Sequence, residues 1–314
     1  MTCRLLAIGE CMVELSPRGE DNCAIGFAGD TLNTAWYARQ VSSPETLSVA
    51  YFSAVGDDEL SRRMADFMRA QKIEPALKVI PGATVGLYMI FLANGERSFQ
   101  YWRSQSAARR LAEDLKELPG LGQGDFAYFS GITLAILPPE GRQVLLDCLK
   151  AAAERGVRVV FDPNLRRRLW DSTEDMCAAT MAGASVSEIV LPSFEDEAEW
   201  FSDADKQATA ERYLKAGSRL AVVKDGPGSV LVKAVDSAAF EVAPEPVSNI
   251  VDTTAAGDSF NGGFLASLAE GGSLAGAVQL GCALAGQVVT QRGALVEVSA
   301  GNLKRGPLHR AEAG

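Results

Sequence analysis

Short apolar runs separated by amphipathic stretches dominate the chain. Residues 4–9 (RLLAIG) form an apolar run that ends in glycine, with Glu10 at its carboxyl end. The stretches 48–55 (SVAYFSAV), 125–131 (DFAYFSG), 157–162 (VRVVFD), 188–192 (EIVLP) and 219–224 (RLAVVK) repeat the pattern. Runs of this length without polar alternation predict strands buried on both faces. Between them lie helical periods. The clearest is 57–71, where Leu60, Met64, Phe67 and Met68 share a face, while Asp57, Asp58 and Glu59 occupy the end at which the helix dipole favours negative charge. Strands alternating with helices predict an α/β fold, a doubly wound and mostly parallel sheet with helices on both faces.

Two segments break the alternation. Residues 85–103 (VGLYMIFLANGERSFQYWR) are two β-rich runs joined through Asn94-Gly95, a strong hairpin signal, and residues 11–28 are short and strand-like without a helical period. Strands outside a doubly wound core predict a small β-sheet lid over the active-site edge, which would exclude water during a reaction. A plain surface hairpin is the alternative. Neither repeats nor a linker interrupt the pattern, so residues 1–314 read as a single domain with a lid formed from about 11–28 and 85–103.

Composition narrows the chemistry. Thirty Lys plus Arg against forty Asp plus Glu give a formal net charge of −10, which predicts repulsion of nucleic acid and anionic membrane. The single histidine, His309, lies in a polar C-terminal stretch. Mechanisms built on a buried histidine are thereby excluded, including Ser-His-Asp and Cys-His nucleophiles and two-histidine zinc helices. Six cysteines without a CxxC pair read as reduced thiols. With no signal-like N-terminal stretch and no eighteen-residue apolar segment, a cytoplasmic protein is expected.

What remains is carboxylates, arginines and backbone dipoles. Asp252-Thr253-Thr254-Ala255-Ala256-Gly257-Asp258 ends an irregular stretch and opens a helix on which Phe260, Phe264 and Leu268 share a face. Small residues at that start leave the amides of Ala255, Ala256 and Gly257 open to hold developing phosphate charge. Asp258 falls in the first turn, where the dipole is expected to keep it ionised and able to accept a proton from a hydroxyl; a purely helix-stabilising acid is the alternative. The segment Asp162-Pro163-Asn164-Leu165-Arg166-Arg167-Arg168 follows a strand, at the edge where open α/β sheets bind ligands. Three successive guanidiniums cannot all face one ligand. Arg166 is expected to point inward, with Arg103 from the hairpin reaching the same anionic group. Gly29-Asp30-Thr31-Leu32-Asn33 opens another helix, and Asp30 and Asn33 suit sugar hydroxyls, although Asp30 could equally be an N-cap. Phosphate-binding P-loops are excluded by the absence of any Gly-Lys pair, and no GxGxxG fingerprint follows a strand, which argues against a nicotinamide oxidoreductase.

These residues carry a resemblance. DTTAAGD resembles the DTxGAGD signature of the ribokinase-like (PfkB) carbohydrate kinases, with Ala255 standing where the family usually has glycine. IGECMVEL, FAGDTLNTA, YWRSQSAAR and DPNLRRRLW extend the likeness over the chain, and together they are most like the branch that phosphorylates 2-keto-3-deoxygluconate. The resemblance implies a ribokinase-like fold with a β-sheet lid and an ATP- and Mg²⁺-dependent kinase. Asp258 would be the base, and the amides of Ala255, Ala256 and Gly257 would stabilise the transferring phosphoryl group. Gly29, Asp30 and Asn33 would hold the sugar acid, with Tyr88, Tyr101 and Arg103 closing from the lid and Arg166 meeting the carboxylate. Lys224, Gly226 and Gly228 fall where the family binds nucleotide. Ser193 and Asp196 replace the Asn and Glu of the family's NxxE motif, and Asp196 would reach magnesium through water. Pairing of two copies through the lid is a further implication. A neutral-sugar kinase such as a fructokinase, and a catalytically silent sugar-acid sensor on the same fold, are the alternatives. Retention of Asp258 speaks against the sensor.

Overall fold

A computed structural model describes residues 2–19, 22–93 and 96–299. In chain order the strands are β1 (Cys3–Ile8), β2 (Met12–Pro17), β3 (Cys23–Ala28), β4 (Leu47–Val55), β5 (Glu74–Val79), β6 (Leu87–Ala93), β7 (Glu96–Trp102), β8 (Phe126–Ser130), β9 (Arg158–Asp162), β10 (Ile189–Val190), β11 (Leu220–Val223), β12 (Val230–Ala234) and β13 (Phe240–Val242). The helices are α1 (Asp30–Val41), α2 (Glu59–Ala70), α3 (Gly131–Ile136), α4 (Pro139–Glu154), α5 (Thr173–Ser185), α6 (Phe194–Phe201), α7 (Lys206–Ala216), α8 (Ala256–Ala269) and α9 (Leu274–Val288).

Nine strands form one sheet in the order β13-β12-β11-β10-β9-β8-β1-β4-β5, parallel from β11 to β5 and antiparallel only at the β12–β13 edge. The expected apolar runs are its central strands. Leu5 and Ala7 of β1 face a core built with Leu32, Tyr37, Phe260, Phe264 and Leu284 from α1, α8 and α9. Leu6 and Ile8 face the opposite core, with Leu145, Leu149, Met176 and Tyr213 from α4, α5 and α7. Burial on both faces is the reason these strands lack polar alternation. The 57–71 period becomes α2, capped by the Asp58 carboxylate on the Ser61 N–H, with Met64 and Met68 buried.

The strands that broke the alternation form a separate sheet, β3-β2-β6-β7. Its Asn94-Gly95 link lies outside the described residues, but the register on either side, Tyr88 opposite Tyr101 and Ile90 opposite Phe99, is that of a hairpin. Tyr88 and Ile90 cluster with Met12, Ala28 and Ala294, and Ala255 packs against that cluster. The four-stranded sheet therefore covers the start of α8.

Close backbone approach brings the site together. Gly29 N-caps α1, and a Cβ there would meet the Glu10 carbonyl oxygen at 2.2 Å. A Cβ on Gly262 would meet the Thr34 carbonyl oxygen at 2.7 Å, so only glycine lets α8 lie this close to α1. Among the described residues no helix is long and apolar enough to cross a membrane.

Candidate active site

The start of α8 is built by Asp252. Its carboxylate accepts the Thr254 N–H at 3.1 Å and hydroxyl at 2.7 Å on one oxygen, and the Gly293 N–H at 2.9 Å on the other. Ala255 then takes φ 61°, ψ 15° as the N-cap. A left-handed conformation costs an L-residue roughly 1–2 kcal/mol and suits glycine, which gives a physical reason for the glycine usual at this position. The three-amide anion hole needs one correction. The Ala256 N–H turns back to the Thr253 carbonyl at 3.2 Å, whereas no acceptor among the described residues takes the Gly257 N–H.

Asp258 sits one residue further on. Asn33, one of the polar residues expected against the sugar, donates its side-chain amide to the Asp258 carboxylate at 2.8 Å, and its carbonyl accepts the Gly29 N–H at 3.3 Å. Its visible work is to hold Asp258. Removal from water pushes the Asp258 carboxyl up to about 7, and the charges of Asp30 and Asp162 add to the rise. The Asn33 hydrogen bond and the Lys224 charge act in the opposite sense. The helix dipole, expected to favour the ionised form, is opposed here by desolvation and by two neighbouring carboxylates. A carboxylate whose pKa lies near 7 is suited to accept a proton.

Asp30 is not an N-cap, since Gly29 takes that position. Its carboxylate accepts from the Asn164 side chain at 2.8 Å and from Ser130, and burial raises its pKa against these bonds. Asn164 itself adopts φ 36°. It was not singled out on its own in the sequence, and its place behind a strand-ending Asp-Pro pair was the available signal.

Beneath α8 lies a buried polar network. Lys224, at the end of β11, donates to Asp162 at 3.2 Å and to the Asn261 side-chain carbonyl at 3.2 Å. Asn261 donates in turn to Asp162 at 2.6 Å and to the Tyr128 hydroxyl at 3.1 Å. Thr34 joins Tyr128 to the Asp258 carbonyl, both at 3.2 Å. Asn261 looked like an ordinary helix residue in sequence.

Of the expected lid residues, Tyr88 is buried and donates its hydroxyl to the Glu14 carboxylate, which with burial holds its pKa above the phenol range. Tyr101 is half exposed and stacks on Phe99. Burial raises its pKa, and the charges of Arg103, Arg166 and Arg168 oppose the rise, the Arg103 guanidinium lying 6.0 Å from the ring centroid. Arg103 is ion-paired with buried Glu10, and Arg166 lies 3.5 Å from Asp196. Arg167 turns away to Thr173 and the Trp170 carbonyl. The Arg166 side chain is half exposed and also donates to the Leu165 carbonyl at 2.8 Å.

The residues expected at the nucleotide lie beside the same edge. Ser193 N-caps α6 and bridges to Lys224. Burial raises the Asp196 pKa, with the Arg166 charge opposing. Gly226 adopts φ 50° in the β11–β12 turn, and a Cβ on Gly228 would meet the Asp225 carboxylate at 2.6 Å. A cleft of about 680 Å³ opens between residues 243–249 and α9, against Cys282, Gly286 and Thr290. It adjoins the Asp252 turn, because Val251 and Asp252 both donate to the Val289 carbonyl. Sequence reasoning found no motif there. Among the described residues no group of three or more His, Cys, Asp or Glu side chains converges to hold a metal.

Comparison with known proteins agrees with this geometry. The chain is 39% identical over 300 residues to a 2-dehydro-3-deoxygluconokinase of Haemophilus influenzae, covering 94% of this chain and 96% of that one. It is 38% identical over 308 residues to one of Dickeya dadantii, covering 96% and 99%. Among solved structures, aminoimidazole riboside kinase from Salmonella enterica, complexed with aminoimidazole riboside and an ATP analog, superposes with a TM-score of 0.80 at 22% identity over 92% of this chain and 94% of that one. A 2-dehydro-3-deoxygluconokinase from Thermotoga maritima gives 0.76 at 22% identity over 96% and 98%. These likenesses show a ribokinase-like fold. Residues 3–299 match the model of the pfkB family carbohydrate kinases, and the chain belongs to that family.

Proposed function

We propose that the protein transfers the γ-phosphoryl group of ATP to the C6 hydroxyl of 2-keto-3-deoxygluconate, giving 2-keto-3-deoxy-6-phosphogluconate and ADP. The observation that carries this reading is the buried Asp258 at the start of α8, held by Asn33, on a chain whose lid sheet carries Tyr101 within reach of the charges of Arg103, Arg166 and Arg168. Curated relatives bearing this activity at 36–39% identity support it.

The C6 hydroxyl gives its proton to Asp258 as its oxygen forms a bond to the γ-phosphorus. The bond from that phosphorus to the β–γ bridging oxygen breaks, and ADP leaves with the electron pair. The open Gly257 amide and the dipole of α8 meet the charge that develops on the phosphoryl oxygens. Asp30, held by Asn164, aligns a sugar hydroxyl. The nucleotide base takes the cleft along α9, with Lys224, Gly226, Gly228 and Ser193 on the phosphate side. Asp196 would hold a magnesium ion through water, and the ion would supply neutralisation of phosphate charge. The whole chain acts as one domain in which the four-stranded sheet closes as a lid. Ile25, Phe91 and Trp102, exposed on that sheet, suit pairing with a second copy.

A neutral hexose is the competing substrate, because Arg103 and Arg166 each already face a carboxylate. Arg166→Ala separates the two. Removing a charge-assisted contact costs about 1.5–3 kcal/mol, so KM for the sugar acid is expected to rise roughly 10–150-fold while KM for fructose stays near the wild-type value. An ADP-release assay over sugar acids and hexoses measures both. Equal effects on the two substrates would overturn the sugar-acid reading.

A further inference from the structure

The Lys224 ammonium has three N–H bonds, and the buried network uses two of them, on Asp162 and on Asn261. A Cβ placed on Gly257 would lie 3.7 Å from Lys224 Nζ, so the ammonium faces the residue whose amide is open at the start of α8. Its charge is felt at both Asp258 and Asp196. Lys224 is therefore a clamped cation beside the phosphoryl position. An amine on four flexible carbons would otherwise swing and lose that placement.

Asn261 supplies the second jaw of the clamp. It is fully buried, one helical turn below Asp258 on α8, and its two amide ends take different partners. The carbonyl accepts from Lys224 while the NH₂ group donates to Asp162 and to Tyr128. An apolar residue of similar size would fill the space but leave Lys224 held by Asp162 alone. It would also leave Tyr128 without a donor from α8. The chemistry favours an amide for a further reason: a carboxylate here would add a negative charge directly against Asp162.

We propose that Asn261 is a positioning residue for phosphoryl transfer, acting by fixing the Lys224 ammonium between Asp162 and the start of α8. It rests on transfer occurring at Asp258, and not on which sugar is accepted.

The test is a double-mutant cycle on Asn261→Ala and Lys224→Gln, with kcat and KM measured by ADP release on the best sugar of the wild-type enzyme. Loss of placement by about 1 Å costs up to 10²-fold, so Asn261→Ala is expected to lower kcat by roughly 10–100-fold with KM for ATP and sugar changed less than about 3-fold. In the Lys224→Gln background the same substitution is expected to do little more, because the group it positions is gone. A purely structural Asn261 would slow both backgrounds equally. Asn261→Ser and Lys224→Met are carried alongside, with thermal unfolding, so that a folding defect in one variant leaves the other to report. Independent, multiplicative effects, or a kcat within about 2-fold of wild type, would overturn the proposal. Asp258→Asn run in parallel tests the base separately: if that variant keeps wild-type kcat, the reading of Asp258 fails whatever the cycle shows.

Discussion

Asp258→Asn is expected to lower kcat by about 10²–10⁴-fold, the usual cost of losing a general base, while the binding of ATP and sugar changes little. The amide is isosteric and can still meet Asn33, so a binding defect would point to a different role. The pH profile sharpens the expectation. With the wild-type carboxyl pushed up to about 7 by burial and by the Asp30 charge, kcat should climb as pH rises through that region, because only the deprotonated form accepts a proton. Asp30→Asn removes one of the charges that raise it, so the acid limb should move to lower pH. Initial rates from pH 5 to 9 on the two variants and the wild type measure this. A limb that stays in place in Asp30→Asn would mean that the titrating group is not Asp258.

What was legible in sequence follows burial. Strands β1, β8 and β9 stand out because both faces are covered, as Leu5, Leu6, Phe129 and Val160 show. Strand β5 mixes half-buried and exposed positions, and β12–β13 continue the sheet antiparallel through the Gly226 turn, so neither resembles a central strand. Asp258 was readable because its helix start is marked by small residues. The roles of Asn33, Asn164 and Asn261 were not, because an amide's function depends on which distant groups the fold brings to it. Glu10 illustrates the same limit. It stands out as the polar residue ending the first strand, but its partner is Arg103 at the far end of the hairpin, and that pairing takes up a guanidinium expected to be free for substrate.

A second large effect is expected on stability. Arg212 on α7 donates to buried Glu197 at 2.6 Å and to Asp203 at 2.6 Å, and Tyr213 adds a hydrogen bond to Glu197 at 2.9 Å. Arg212→Met keeps the length of the stem but leaves Glu197 without its counter-charge in a site closed to water. Breaking a buried pair from one side costs about 3–5 kcal/mol, measurable as a lower urea midpoint. The pH dependence has a definite sign. Burial already raises the Glu197 carboxyl to about 7 in spite of Arg212, so its protonated form is favoured by the folded state. A carboxyl raised in the folded state contributes stability that is fully present below its unfolded pKa of about 4.5 and is lost as pH rises through the folded value. Without Arg212 that folded value rises further. The deficit of the variant should therefore be smaller at pH 5, where Glu197 can take up a proton, than at pH 8. A deficit independent of pH would show that Arg212 acts through packing against Phe201 and Tyr213, over whose rings its guanidinium lies at 3.7 and 4.4 Å, and not through the charge of Glu197.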